Sequence, residues 1–483
     1  MLITMRSSVI RLLLVLALAG APLTVWISGA SPQAPRAGSA VQTPAGPLAE
    51  AAPLVSKVLD NGLEVIVLED HSVPIVTIEL AVRNGSFTEP PELNGLSHLY
   101  EHMFFTPNLA SRDKTHEMPS TEQLGISYNG DTREEIVEYY FTSTTPNFPV
   151  EARLLRDAAR EPAFDDRYFA RERQVVIDEM DRHDSDPFGA VSKEMNDRLF
   201  YKYPSRKEPI GNRETVRTAT TDMMRLIQSR YYVPNNSVIV VTGDVSPQAT
   251  FGVVEGLFGD WAKRPVDPFV EFPLVEHPPL PTSSGAILTK PVQNVIVDLG
   301  WQGPSVGRDN ASTYAADVFS FILHQPNSRF QRALVDSGLV TGVDFEYYTQ
   351  RNVGPISLTF QTTPEKARAA VRAVYNEIGH FRDADYYTDE ELESGKALLE
   401  ADDLYSREKL SEYVHNIAFW WSSTGLEYFR GYLGHLRTTS RSDISRYLTT
   451  YILDKPHIGL ALLSEDSAKA SGLTVQDLTG GGK

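Results

Sequence analysis

Two histidines four residues apart, with a glutamate beside the second, are the first candidates for chemistry: His98-Leu99-Tyr100-Glu101-His102. On an α-helix, residues i and i+4 share a face, so both imidazoles can point at one metal ion. Glu101 follows His98 by three residues, lies on the same side and can reach a metal-bound water as general base. The order H-x-x-E-H inverts the commoner H-E-x-x-H. Two imidazoles suit Zn2+, one ion per chain, which needs a third protein ligand and one position left open for water.

That ligand should come from another helix. In Arg171-Glu172-Arg173-Gln174-Val175-Val176-Ile177-Asp178-Glu179 the two glutamates stand seven apart, or two helical turns, and point the same way. One carboxylate then serves as ligand and the other as a partner orienting the site. The plain alternatives are a charged surface face for these glutamates and two surface histidines for the motif. His183, four residues after Glu179, competes as a ligand, but Asp186-Pro187 ends the helix beside it and it reads as surface. His71, His116 and His324 stand at no spacing that suggests a metal.

These residues need elements to hold them. Leu96, Leu99 and Met103 fall at i, i+3 and i+7, which predicts a helix over the motif. Before it, residues 63–68 and 73–78 read as strands. Residues 138–143 predict a strand, 150–161 and 165–182 helices, 237–242 a buried strand and 249–261 a helix. Prolines between 265 and 281 break the pattern, and it restarts with strands at 292–299, 345–349 and 356–361. A helix over 312–323, long helices from 365 to about 436 and a strand at 458–463 complete the second half. Strands first and helices after, twice over, predict an α+β chain of two similar domains. The expected boundaries are 54–264 for the zinc-binding domain, 265–284 for the linker and 285–475 for the second domain.

With these motifs in place, the chain resembles the pitrilysin family of zinc peptidases, which includes insulin-degrading enzyme and the mitochondrial processing peptidase. His98, Glu101 and His102 match the inverted motif, Glu179 the distal zinc ligand, and Glu172 the upstream glutamate, grouped with Glu101 in the catalytic set. Tyr232-Val233-Pro234-Asn235-Asn236 with the strand that follows, and Ser328-Arg329-Phe330 with Gly338-Leu339, extend the match over roughly 55–470, the size of short two-domain members. The resemblance implies two mostly antiparallel sheets packed with helices, forming half of a clamshell chamber. It also implies a zinc endopeptidase acting on peptides or small unfolded proteins. A strand near Asn129 would bind substrate by edge pairing, and an Arg and a Tyr from another domain or a partner subunit would aid the oxyanion. Tyr347 and Arg351 are the residues available for that role. Two departures stand out: an irregular stretch from Thr106 through Pro119, and Asn129-Gly130-Asp131-Thr132 where the family has an Asn-Ala pair.

The chain has 483 residues, 41% of them hydrophobic and 22% charged, which describes a globular protein of two or three domains. A net charge of −18 argues against nucleic acid as a partner. Arg6 and Arg11 precede an uncharged apolar stretch and small residues near Gly29-Ala30, the layout of a secretory signal over residues 1–30. Residues 31–53, rich in Pro and Ala, read as a flexible tether. A retained membrane anchor is the alternative. No cysteine is present, which excludes a thiol nucleophile and a disulfide framework. A periplasmic or secreted bacterial location follows as the expectation, with a homodimer or a heterodimer with a related two-domain subunit. Two other functions stay open: a noncatalytic or partner-dependent subunit of a peptidase complex, and a different zinc hydrolase.

Overall fold

The computed structural model describes residues 53–115 and 121–481. The expected signal 1–30, the tether up to 52 and His116 lie outside the described residues. No helix among the described residues is long and apolar enough to cross a membrane.

Apolar alternation builds two sheets. β1 (Val55–Val58), β2 (Glu64–Glu69), β3 (Ile75–Val82), β4 (Ser127–Thr132), β5 (Val137–Thr144) and β6 (Ser237–Gly243) form the first, in the order β1-β2-β6-β3-β5-β4. β7 (Ser284–Thr289), β8 (Val295–Gln302), β9 (Gly342–Tyr347), β10 (Pro355–Thr362) and β11 (Ile458–Leu463) form the second, in the order β7-β11-β8-β10-β9. Apart from β1 the two topologies are identical. In each sheet the last strand inserts between the first two, parallel to one and antiparallel to the other. The chain is therefore α+β with two similar domains, as expected.

Six helices matter for the site: α1 (Leu96–Thr115), α2 (Phe148–Arg160), α3 (Asp166–Ser185), α4 (Pro187–Leu199), α5 (Asn310–His324) and α6 (Leu410–Ser423). One face of the first sheet, with Val65, Val67, Ile78, Leu80 and Tyr139, packs against α1 and α2. The other face carries Ile66, Leu68, Ala81, Val238 and Val240 in a core shared with the second half, where α6 lies across β3 and β6. A sheet covered on both faces needs near-continuous apolar strands, and all seven residues of β6 are buried. The second sheet backs one face onto α5 and turns the other to α4, where Val191, Met195 and Leu199 meet Ile296, Ile458 and Leu460. Gly300 on β8 leaves room for this contact: a Cβ there would stand 2.4 Å from Met195 Sδ. Each half thus lends one helix to the other's sheet.

The irregular stretch expected after the motif is corrected in part. α1 does not end near Phe105 but runs on to Thr115, because extending a helix costs far less than starting one. Residues 116–120 lie outside the described residues.

Candidate metal centre

α1 begins where the chain passes through Gly95 at φ 96°, a region that favours glycine. The first N–H groups of a helix have no helical partner. Here the buried carboxylate of Glu89 accepts hydrogen bonds from Gly95 N at 2.7 Å and Ser97 N at 2.5 Å. Burial pushes Glu89 up to about 7, against the pull of these bonds. Glu89 therefore sets the start of the helix that carries His98. Sequence reasoning missed it because the contact loops back over six to eight residues, longer than a capping box. Glu89→Ala should destabilise the chain by about 1–3 kcal/mol, since two buried donors lose their acceptor. Denaturant unfolding checks this, and an unchanged midpoint would count against the role.

α3 is equally well delimited. Asp165 accepts from Arg167 N at 3.0 Å and Tyr168 N at 3.2 Å at its start, and Pro187 opens the next helix after it. Phe169, Val176 and Met180 bury one side of α3, and the helix packs along α1.

That packing brings three sequence-predicted residues together. One ligand atom each from His98, His102 and Glu179 lies within 4.8 Å of the others. Glu179 Oε2 stands 3.5 Å from His98 Nε2 and 3.4 Å from His102 Nε2. A charge-assisted hydrogen bond would be about 2.7–2.9 Å, whereas ligands on a tetrahedral zinc with bonds of about 2.0–2.2 Å stand roughly 3.3–3.6 Å apart. The donor set therefore fits a zinc ion. Burial, reinforced by the charge on His102, lowers His98 to about 4 and keeps its ring neutral. Burial also opposes charge on His102, but the facing carboxylates of Glu172 and Glu179 outweigh it and raise that ring to about 10. The carboxylates that favour a proton there also favour a metal cation, whose binding would release it. Glu172, buried beside the site, faces His102 Nδ1 at 3.4 Å and so directs Nε2 toward Glu179. The neighbouring His102 ring holds Glu179 below the usual carboxylate range.

Glu101 sits 3.9 Å from His98 Nε2 and accepts from Thr132 Oγ1 at 3.3 Å. Burial pushes it up to about 7 although the His102 charge pulls the other way, which suits a general base near neutral pH. Gly130 on β4 makes this placement possible. A Cβ there would lie 2.9 Å from Glu101 Cγ and 3.0 Å from Oε1.

Other expected residues lie elsewhere. Asn129 is exposed on β4 and bonds the Tyr140 side chain; being adjacent to Gly130, it points to the opposite face. The Tyr347 hydroxyl donates to Pro304 O at 3.0 Å. Arg351 donates through Nη2 to Ser422 O at 2.9 Å, and its backbone N–H donates to Glu135 Oε2 at 2.7 Å. Neither is among the residues that line the recess of about 390 Å3 beside His98 and Glu179. His183 does line that recess, half-buried rather than on the surface, because α4 turns back over it at Gly189.

Glu79, Glu138 and His415 also bring ligand atoms within 4.8 Å of one another, between the two halves. His415 Nδ1 meets Glu79 Oε2 at 2.5 Å and Arg133 lies 3.5 Å from Glu138. His415 and Arg133 already pair with the acidic groups there, and Arg133 also meets Asp131 at 2.5 Å, so the group is an ion-pair network.

The chain matches two family models: insulinase (peptidase family M16) over residues 64–209, and the peptidase M16 inactive domain over 218–399. It is 23% identical over 350 residues to the uncharacterized zinc protease YmxG of Bacillus subtilis (strain 168), covering 72% of this chain and 83% of that one. Its fold matches the crystal structure of a protease from Helicobacter pylori with a TM-score of 0.76 and 22% identity, over 85% of this chain and 99% of that chain. It also matches the periplasmic protease PqqL from Escherichia coli with a TM-score of 0.67 and 17% identity, over 89% of this chain and 50% of that chain.

Proposed function

This chain belongs to the M16 (insulinase) family of peptidases, and we propose that it is a zinc-dependent endopeptidase of peptides or small unfolded proteins. The observation that carries the proposal is the convergence of His98, His102 and Glu179 at ligand spacing beside a buried Glu101. His98, His102 and Glu179 would hold the zinc ion, which when bound would supply Lewis-acid chemistry and acidify a water toward a pKa of ~7. Glu101 would act as the general base, accepting a proton from the attacking water and passing it to the leaving amine. Thr132 steadies the Glu101 carboxylate and Glu172 holds the His102 ring. β4 is the edge strand of its sheet and passes Glu101 at Gly130, so an extended substrate backbone can add to it beside the reacting group.

Tyr347 and Arg351 are committed to other partners. This favours a partner-dependent form of the same reading, in which a second chain, identical or related, closes the chamber and supplies the second electrophile for the oxyanion. In this reading residues 54–264 and 285–475 are the two domains, joined by 265–284. Residues 1–30 direct export to the periplasm or exterior, in line with the periplasmic relative, and 31–53 form a tether.

The test is hydrolysis of quenched fluorogenic peptides by the purified chain over a range of concentrations, before and after chelation. The expected result is one zinc per chain, loss of hydrolysis on chelation, recovery with zinc, and specific activity that rises with chain concentration. Hydrolysis that survives complete removal of zinc would overturn the proposal. Constant specific activity down to the lowest concentration would overturn only its partner-dependent form.

A further inference from the structure

A buried lysine stands in the wall of the recess beside the metal centre. Lys207 ends the short turn Pro204–Lys207 that follows α4, and it is only 2% exposed. Its side chain reaches across to the second half, into the loop between β9 and β10. There Nζ donates to the Gln350 side-chain oxygen, to Asn352 O at 2.6 Å and to Val353 O at 2.9 Å. An ammonium carries three protons, and all three go to this one loop. Burial lowers Lys207 to about 8, against the pull of Glu135 and Glu134, so it remains cationic at neutral pH.

The first half grips the same loop a second time. Glu135 accepts from Arg351 N at 2.7 Å and from Asn352 N at 2.9 Å. Val353 is held at φ 58°, where a β-branched residue is strained. In that conformation its carbonyl accepts from Lys207, while its N–H donates to Ser305 Oγ at 2.9 Å. Such strain persists only where the surroundings over-determine the backbone, and it concentrates at functional sites. Tyr348, at the start of the loop, donates its hydroxyl to Glu134.

Lys207 and Glu134 both line the recess with His98 and Glu179, whereas none of residues 348–353 does. The first half therefore forms the recess, and the second half fixes two of its wall residues from behind. A substrate laid along β4 past Gly130 meets this recess at Thr132, which lines it too. We propose that Tyr348 and Gln350 are positioning residues for the substrate. Acting through Glu134 and Lys207, they hold the shape of the recess that receives the peptide residue beside the scissile bond. The proposal rests on the peptidase reading, and it gives the second half a part in substrate binding within the same chain.

The test uses fluorescein-labelled β-casein, an unfolded protein. Its binding is read by anisotropy on the full chain carrying Glu101→Gln, and its hydrolysis on the chain without that change. Lys207→Met should weaken binding and raise KM by about tenfold. Gln350→Met and Tyr348→Phe should each do so by about three- to tenfold, although neither residue lines the recess. In all three variants kcat should stay within about threefold of the parent, with one zinc per chain. A merely structural role gives another pattern: a smaller folded fraction lowers the apparent kcat and leaves Kd and KM where they were. Should Lys207→Met fail to fold, the other two variants decide, since each gives up one hydrogen bond to a wall residue. Unchanged Kd and KM in every folded variant overturn the proposal, even if hydrolysis is vigorous. A fall in kcat alone for Tyr348→Phe overturns it too, as does a Glu101→Gln chain that binds no casein. Weakened binding in the variants of a chain that hydrolyses nothing leaves the positioning role standing and removes the peptidase reading.

Discussion

Glu101→Gln should lower kcat for peptide hydrolysis by about 10²–10⁴, the usual contribution of a positioned general base, while the chain still binds one zinc ion. The amide has the size of the carboxylate and can still accept from Thr132 Oγ1, which now donates at 3.3 Å. What it loses is the capacity to take up a proton, and the pocket is built around that capacity. Burial holds the Glu101 carboxyl near 7, where it can both receive and release a proton close to neutral pH. Glu101 is not one of the three converging ligands, so zinc content should not follow activity. Metal analysis and single-turnover hydrolysis of the same preparation provide the check. A variant that keeps zinc and hydrolyses within about threefold of the parent, far less than a lost general base would cost, would remove Glu101 from the chemistry. A variant that loses zinc as well would make it a structural support of the site.

The second large effect is expected far from the metal. His415→Ala should destabilise the chain by about 3–5 kcal/mol near neutral pH, because it leaves buried carboxylates short of a cation. Glu79 is fully buried and Glu138 is 2% exposed; His415 Nδ1 meets Glu79 at 2.5 Å and Glu138 at 3.8 Å. These residues come from β3, β5 and α6, so their loss loosens the contact between the halves. A pH dependence follows. Burial opposes charge on His415, but Glu79 and Glu138 outweigh it and raise it from 6.5 to about 9. Its contribution is therefore complete below about 6.5 and lost as the pH rises through about 9. Burial and the neighbouring Glu79 raise Glu138 from 4.5 to about 8, so the native state holds more protons there and stability falls with rising pH in that window too. Unfolding by denaturant at pH 6 to 10 should show the parent losing stability and His415→Ala responding much less. Parallel pH curves for the two chains would overturn this account.

How much of this was legible beforehand depends on the distance over which each interaction acts. The spacing of His98, Glu101 and His102 needs only a helix to put three side chains on one side, and Leu96, Leu99 and Met103 declare that helix. Glu172 and Glu179 follow the same rule over two turns. The alternating strands and the second cycle of strands and helices announced two similar domains. Helical and strand periodicity is written into neighbouring residues, so the sequence alone determined the candidate ligand set and the fold class. Contacts across the chain carry no such mark. Nothing in the neighbouring residues marks Gly130 for its close approach to Glu101, or Glu89 for the closure of its carboxylate on Gly95 and Ser97. Tyr347 and Arg351 have the right chemistry for an oxyanion, yet β9 and the loop after it commit them to Pro304 and Ser422. Which side chains become buried, and against whom, is decided by how helices from one half pack on the sheet of the other, and that packing is summed over residues hundreds of positions apart.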